Sequence, residues 1–229
     1  MLQESLEYLW KSEKNVETIL IGGVLTLLSF LILPMILVAG YTVRVLDRSA
    51  HGGEEAPIFD DWGAMFVDGA KAFAIMIVYG LAPLAAIVLT AITAAIAFSI
   101  SDALGLIAML LGGLITLVLG LAVMYAIPAA LANYAQTREI RAGFEYETLR
   151  PALTSGTYAV GWLTAIAIVI GGALVAGVLN VVPILGFIAG AFVAFYAGVS
   201  AYYVIGHTWA DVRPIETREE PRTAERPAV

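Results

Sequence analysis

Four tracts without a single Asp, Glu, Lys or Arg run through the sequence, at residues 19–43, 72–101, 103–137 and 151–210. A helix rises 1.5 Å per residue, so about 20 apolar residues carry it across the roughly 30 Å hydrocarbon core of a bilayer. The first three tracts each hold one such helix, and the fourth, 60 residues long, holds two. Backbone N–H and C=O groups in lipid find no water and must pair within their own segment, which leaves helices as the structure for such tracts. The expected fold is all-α: an integral membrane bundle of about five transmembrane helices with short interfacial amphipathic helices. Composition leaves little room for a soluble alternative. Hydrophobic residues make up 60 %, charged residues 14 %, and the mean hydropathy is +0.88, far too little polar matter to cover a soluble domain.

The first span is expected over residues 16–46 with Asn15 as its cap. Pro34 lies inside it and removes one backbone bond, so the helix either kinks there as a single span or folds back as a re-entrant hairpin. Each arm of such a hairpin has only about 14 residues, too few to cross fully, and the kinked span is the expectation. The second span covers residues 71–98, the third ends near Gln136, the fourth covers 157–179, and the fifth ends near His207. The turn Ser99-Ile100-Ser101-Asp102 supplies a cap for the third span. Pro183 opens the fifth helix after Asn180. Before the first span, Leu2, Leu6, Leu9 and Trp10 share one helical face opposite Glu4, Glu7 and Lys11, the pattern of a helix lying in the interface. Residues 1–209 are expected to form a single multi-pass membrane domain. The charged, proline-bearing stretch 210–229 is expected to be a disordered tail.

Lys and Arg mark the cytoplasmic side of a membrane protein. They fall in the segments 44–71 and 138–150 and in the tail, while the turns near Ser101 and Asn180 carry none. Five spans place the three basic segments on one face. The C-terminus is then cytoplasmic and the N-terminal helix lies outside, although Lys11 and Lys14 pull the other way. The residues 1–18 lack the basic start of a secretory signal. With 19 acids against 12 bases, the charge balance excludes nucleic acid as a partner. Exposed segments that are acidic and poor in lysine suit a salt-rich cytoplasm. No cysteine is present, so thiolate chemistry and disulfides are excluded.

One charged stretch stands out, PIFDDWGAMFVDGAKAF at residues 57–73. Asp60 or Asp61 is placed to cap a helix. Trp62, Met65, Phe66, Gly69 and Phe73 follow on one face as an interfacial anchor, and Asp68 with Lys71 has the spacing of an ion pair. The rival reading takes Asp60, Asp61 and Asp68 as a metal or acid–base cluster. Neighbouring Asp60 and Asp61 point to different sides of a helix, a poor arrangement for one ion. Further along, Gly186, Gly190, Ala194 and Gly198 recur every four residues, as do Gly172 and Ala176, the ladder that lets helices approach closely in lipid. Pro34, Tyr41, Arg44 and Arg48 are echoed by Pro128, Tyr134, Arg138 and Arg141 at offsets of 93 or 94. Tyr202, Tyr203 and His207 make a weaker third copy. An ancient duplication explains the echo, and so does the common Tyr-then-Arg pattern of any span exit.

The order ILIGGVLTLLSFLILP, then AGYTVRVL, an acidic Gly-containing loop and PIFDDWGAMFVDGAKAF resembles the domain-of-unknown-function family numbered 4013, multi-pass membrane proteins frequent in halophilic archaea. The resemblance extends from about residue 2 to 209 and is most distinctive over 19–73. It implies an integral membrane protein and carries no catalytic residue with it.

Ionisable groups at membrane depth mark pumps, relays and voltage sensors, and the span interiors hold none. His51 and His207 stand without ligand-spaced companions. No catalytic, cofactor-binding or metal residue is assigned, and no cofactor is expected. The leading expectation is a non-enzymatic structural, scaffold or accessory component of the cell membrane. Its expected partners are membrane lipid and either a membrane protein or a second copy of the chain. A passive or lipid-handling transporter or permease is the alternative. An enzyme acting on lipid headgroups through residues 60–68 is the third reading.

Overall fold

The structure, a computed structural model, describes residues 2–12 and 14–213; the expected tail from 214 onward lies outside the described residues. Its helices are α1 (Leu2–Glu7), α2 (Asn15–Leu27), α3 (Ile32–Ala50), α4 (Trp62–Ile100), α5 (Asp102–Thr137), α6 (Tyr146–Leu153), α7 (Gly156–Leu179) and α8 (Pro183–Val212), with a 3-10 turn at Ile140–Phe144 between α5 and α6. Among the described residues, α4, α5, α7 and α8 are long and apolar enough to cross a membrane. The chain is an all-α membrane protein. α8 runs to Val212, a turn past the expected end of the fifth span.

The first uncharged tract is not one kinked span. It is a helical hairpin, broken at residues 28–31 rather than at Pro34. The physical cause is still the proline. In a continuous helix its ring would collide with the carbonyl four residues back, on Phe30. The chain instead ends α2 at Leu27, with Ser29 Oγ donating to the Leu25 carbonyl and Leu31 N–H to Leu28. α3 then starts so that Pro34 falls in its first turn, where a helix has no use for the missing N–H. Both arms pack on α8. Phe195 of α8 would collide with any Cβ on Gly22 of α2, and its ring lies 5.4 Å from that of Tyr41 on α3. α2 runs from there toward the α7–α8 turn, where Leu27, Leu28 and Phe30 share a hollow with Asn180 and Pro183. α3 returns to place Ser49 against Gly206. The tip is apolar apart from Ser29, whose hydroxyl is already bound, and Phe30 is 79 % exposed, which suits a tip that stays in lipid. Asn15 does not cap α2 from outside but is its first residue, its Oδ1 accepting from Val16 N–H.

The hairpin reverses the N-terminal side. The Tyr8 ring meets that of Tyr203 of α8 at 4.3 Å, tilted by 43°, the Tyr196 hydroxyl donates to the Leu6 carbonyl, and Ser12 Oγ donates to the Ala56 carbonyl in the α3–α4 loop. α1 therefore lies at the end of the molecule that carries the basic loops, and Lys11 and Lys14 join Arg44, Arg48, Lys71, Arg138, Arg141 and Arg150 there. Tyr8 and Leu9 are buried, leaving Leu2, Leu6 and Trp10 exposed.

α7 and α8 pack along their length, but the glycine ladder serves only in part. Gly186 faces the Leu179 carbonyl and Gly190 faces Ala176. Gly198 meets open space, Ala194 is exposed, and Ala197 takes over the contact with Gly172. Four residues turn a helix by about 400°, so a strict four-residue ladder drifts about 40° per step off any one neighbour.

α5 is tied to α7 through its own proline. Pro128 deprives the Met124 carbonyl of its usual donor, and Trp162 Nε1 supplies one at 3.2 Å. Tyr158 donates to the next carbonyl, Tyr125, at 2.9 Å, and the Tyr125, Tyr158 and Trp162 rings meet edge-on. Trp162→Phe is expected to cost about 1 kcal/mol, the size of an interhelical hydrogen bond in lipid. In a Pro128→Ala background, where a backbone donor returns, that cost should vanish. A double-mutant cycle on denaturant unfolding reads the difference.

Candidate functional site

The residues that carry charge and hydrogen-bonding capacity converge where α3 ends, α4 begins and α5 ends. A helix exit at a membrane surface is the first place a long polar side chain finds water, and here three such exits meet. Tyr41, one turn before Arg44, is fully buried and donates to the Pro57 carbonyl at 2.9 Å. Its ring stacks on Phe59 at 4.4 Å, and Phe59 stacks on Trp62 at 5.7 Å. Arg44 grips the loop from inside. Its guanidinium donates to the Asp60 carboxylate and carbonyl and, at 3.0 Å, to the Asp61 carbonyl. That grip holds Asp61 at φ 38°, a left-handed backbone that Asp tolerates better than most residues. From there Asp61 Oδ1 accepts the Ala64 N–H at 3.2 Å and starts α4.

α4 is continuous from Trp62, without a separate interfacial helix before the span. Its 39 residues cover about 58 Å, roughly twice a hydrocarbon core, so the first turns stand outside it. Trp62 and Phe66 are 44 % and 39 % exposed, while Met65 and Gly69 of the same expected face are buried against α3. Asp68 does not pair with Lys71. It turns to Arg138 at the end of α5, which donates to Asp68 Oδ2 at 2.5 Å and to Asp47 Oδ2 of α3 at 2.8 Å. The fully buried Tyr134 donates to Asp68 Oδ1 at 3.2 Å, and Lys71 Nζ reaches the Arg138 carbonyl at 3.4 Å. One guanidinium thus bridges carboxylates from two other helices, one through each terminal nitrogen, which its planar fork of donors allows.

Beside this clamp lies a cavity of about 330 Å³ lined by Arg44, Asp47, Arg48, His51, Pro57, Ile58 and Asp60. Each aspartate there already has a cation: Asp60 has Arg44, and Asp47 has Arg138 with His51 Nδ1 at 3.4 Å. Asp60 and Asp61 are brought together by Arg44, whereas Asp68 belongs to the separate Arg138 clamp. Among the described residues no group of three or more His, Asp or Glu side chains is arranged to hold a metal ion. The arrangement clamps helices and holds a loop. Asp61→Ala should lose the cap and about 1 kcal/mol of stability, with Asp61→Asn close to wild type in a thermal melt.

Asp47, Arg138, Tyr134 and Tyr41 were not among the residues singled out for this stretch. A signal for three of them existed in the echo of Tyr41 and Arg44 by Tyr134 and Arg138. Each tyrosine is buried with its hydroxyl on the α4 side of the junction, and each arginine one turn later ties down a carboxylate.

No curated protein and no solved structure matches the chain. The sequence signature described as "Protein of unknown function (DUF4013)" matches residues 25–181, from the end of α2 through the hairpin, both clamps and α7. With two thirds of its length so matched, and the resembling stretch forming the α2–α3 hairpin and the start of α4, the chain belongs to the DUF4013 family.

Proposed function

We propose that this protein is a non-catalytic structural or accessory component of the cell membrane, with α1, both clamps and the end of α8 on the cytoplasmic side. The observation that carries this reading is the α4–α5 hairpin. The two helices pack against each other along their length, but their ties to the rest of the molecule lie in the halves nearer the clamp, through Met65, Gly69, Ala72 and Ile75 of α4 and through residues 129–135, Met124 and Tyr125 of α5. The most apolar 18-residue stretch of α5 has no buried residue. A rigid apolar arm, pinned at one end by ion pairs and offered sideways to the bilayer, suits holding a membrane partner or a second copy of the chain. The orientation rests on the hairpin fold of α2 and α3, which brings the basic residues among the described ones to one end.

Two measurements test the proposal. A photoreactive residue at Leu110 or Val118 of α5 should crosslink to one defined membrane protein or to another copy, while one at Val160 of α7 should not; adducts to lipid alone would refute the accessory role. Because the chain is free of cysteine, single cysteines at positions 14, 52 and 145 should react with an impermeant maleimide only from the cytoplasmic side, and one at 181 only from outside. Labelling of position 14 from outside would overturn the orientation. A lipid-handling role is the second reading, favoured by the groove described next.

A further inference from the structure

A groove of about 380 Å³ lies between α5, α7 and α8. Met124 and Pro128, Trp162 and Ala165, and Ala201 and Tyr202 form its walls. These positions lie in the membrane-spanning helices. Trp162 comes six residues after the start of α7 at Gly156, about 9 Å along the helix from its cytoplasmic end.

The tyrosines around this groove differ in one respect. Tyr125 donates to the Leu153 carbonyl and Tyr158 to the Tyr125 carbonyl. Tyr202 lines the groove, and among the described residues its hydroxyl has no hydrogen-bond partner. A hydroxyl without a partner in an apolar setting is disfavoured against the same group in water, and hydrocarbon offers it nothing. A molecule that fills an apolar groove while presenting an oxygen at that depth removes the cost. The acyl chain and glycerol-backbone oxygen of a membrane phospholipid have that pattern.

The charge nearby specifies the headgroup. Tyr125, the residue after the groove residue Met124, donates to the Leu153 carbonyl and so ties this wall of the groove to α6. Arg150, one turn before Leu153, is exposed and takes part in no ion pair among the described residues, although Glu147 shares its hollow. Arg213 at the end of α8 reaches α6 as well, donating to the Thr148 carbonyl at 2.8 Å and pairing with no carboxylate among the described residues. Basic side chains between helices at the cytoplasmic side recognise anionic lipid headgroups. The geometry points to a binding site for one anionic phospholipid of the cytoplasmic leaflet. Its acyl chain lies in the α5–α7–α8 groove, its backbone oxygen accepts from Tyr202, and its phosphate lies at Arg150.

The test is native mass spectrometry of the full chain in detergent, titrated with dioleoyl phosphatidylglycerol and dioleoyl phosphatidylcholine. Wild type should saturate at one tightly held lipid and prefer phosphatidylglycerol roughly tenfold, the ratio expected where one cation favours an anionic headgroup by about 1 kcal/mol or a little more. Tyr202→Phe should weaken both lipids by a similar factor, and Arg150→Gln should remove the preference while leaving phosphatidylcholine unchanged. Ala165→Phe should abolish retention by filling the groove. Should that core change prevent folding, Ile170→Trp at the exposed rim should narrow the groove and reduce retention without touching the core. Non-saturating uptake of many lipids, or equal retention by wild type, Tyr202→Phe and Ile170→Trp, would overturn the site. Loss of binding in Tyr202→Phe with an unaltered headgroup preference in Arg150→Gln would overturn the anionic specificity.

Discussion

Gly69→Ala should sharply destabilise the protein, by roughly 3 kcal/mol or more, the upper range for forcing atoms into a filled space. A Cβ at Gly69 would lie 1.9 Å from the Ile36 carbonyl oxygen and 2.8 Å from the Gly40 nitrogen. Gly40 is its counterpart, with a Cβ there 1.9 Å from the Met65 carbonyl oxygen. These neighbours are backbone atoms and cannot rotate aside, so α3 and α4 would have to separate. That separation would pull apart both clamps, since Arg44 of α3 holds Asp60 just before α4, and Arg138 bridges Asp47 of α3 to Asp68 of α4. Gly80, on the same helix, has nothing within 4 Å of the corresponding position. Gly80→Ala should therefore be neutral, or stabilising by up to about 1 kcal/mol through helix propensity. The midpoint of detergent-denaturant unfolding followed by circular dichroism compares the two. Equal midpoints would mean that α3 and α4 do not cross at these glycines.

Arg138→Gln should give the next largest loss, about 2 kcal/mol. Removing one partner of a fully buried ion pair costs 3–5 kcal/mol, and this site is partly wet, the Arg138 side chain being 35 % and Asp68 16 % exposed. Part of the loss is therefore screened by solvent. The change leaves Asp47 and Asp68 facing each other without the cation between them, so like-charge repulsion adds to the lost bonds. Two comparisons separate these contributions. Arg138→Lys should recover only part of the stability, because one ammonium cannot reach both carboxylates with the planar fork's geometry. Adding Asp47→Asn to Arg138→Gln should restore some stability by removing one of the two repelling charges, whereas Asp47→Asn alone should destabilise. A wild-type melting temperature for Arg138→Gln would show that the three helix ends are held by packing alone.

The two changes bear on how the site came to be recognisable. Asp60 and Asp61 at a helix start, and the exposed Trp62 and Phe66 behind them, are local features: a cap accepts from a backbone N–H three residues away, and an aromatic face repeats with the helix. Such features survive in any fold that keeps the helix. The partner of Asp68 is of another kind. Lys71 stands at helical spacing and was the natural candidate, yet Arg138, 70 residues away, takes the carboxylate because α5 returns to the same membrane surface and its guanidinium reaches two acids at once. The i, i+3 pair offers only a few tenths of a kcal/mol, and a partly buried arginine bridge between two carboxylates outcompetes it.

Reading the residues in order was enough to establish that the chain belongs in a membrane and that α4, α5, α7 and α8 are long and apolar enough to cross it. Each of these follows from the cost of placing charge or unpaired backbone in hydrocarbon, a cost that applies to every segment separately. Whether the first apolar tract crosses or turns back, which glycines meet, and whose carboxylate Arg138 holds could not be read that way. All three depend on which helix lies alongside. Phe195 of α8 receives both arms of the α2–α3 hairpin, Gly40 and Gly69 admit α3 and α4 to contact, and that contact brings Asp47 and Asp68 to one arginine. Packing energies between segments distant in sequence settle such choices, and they exist only once the helices are in place.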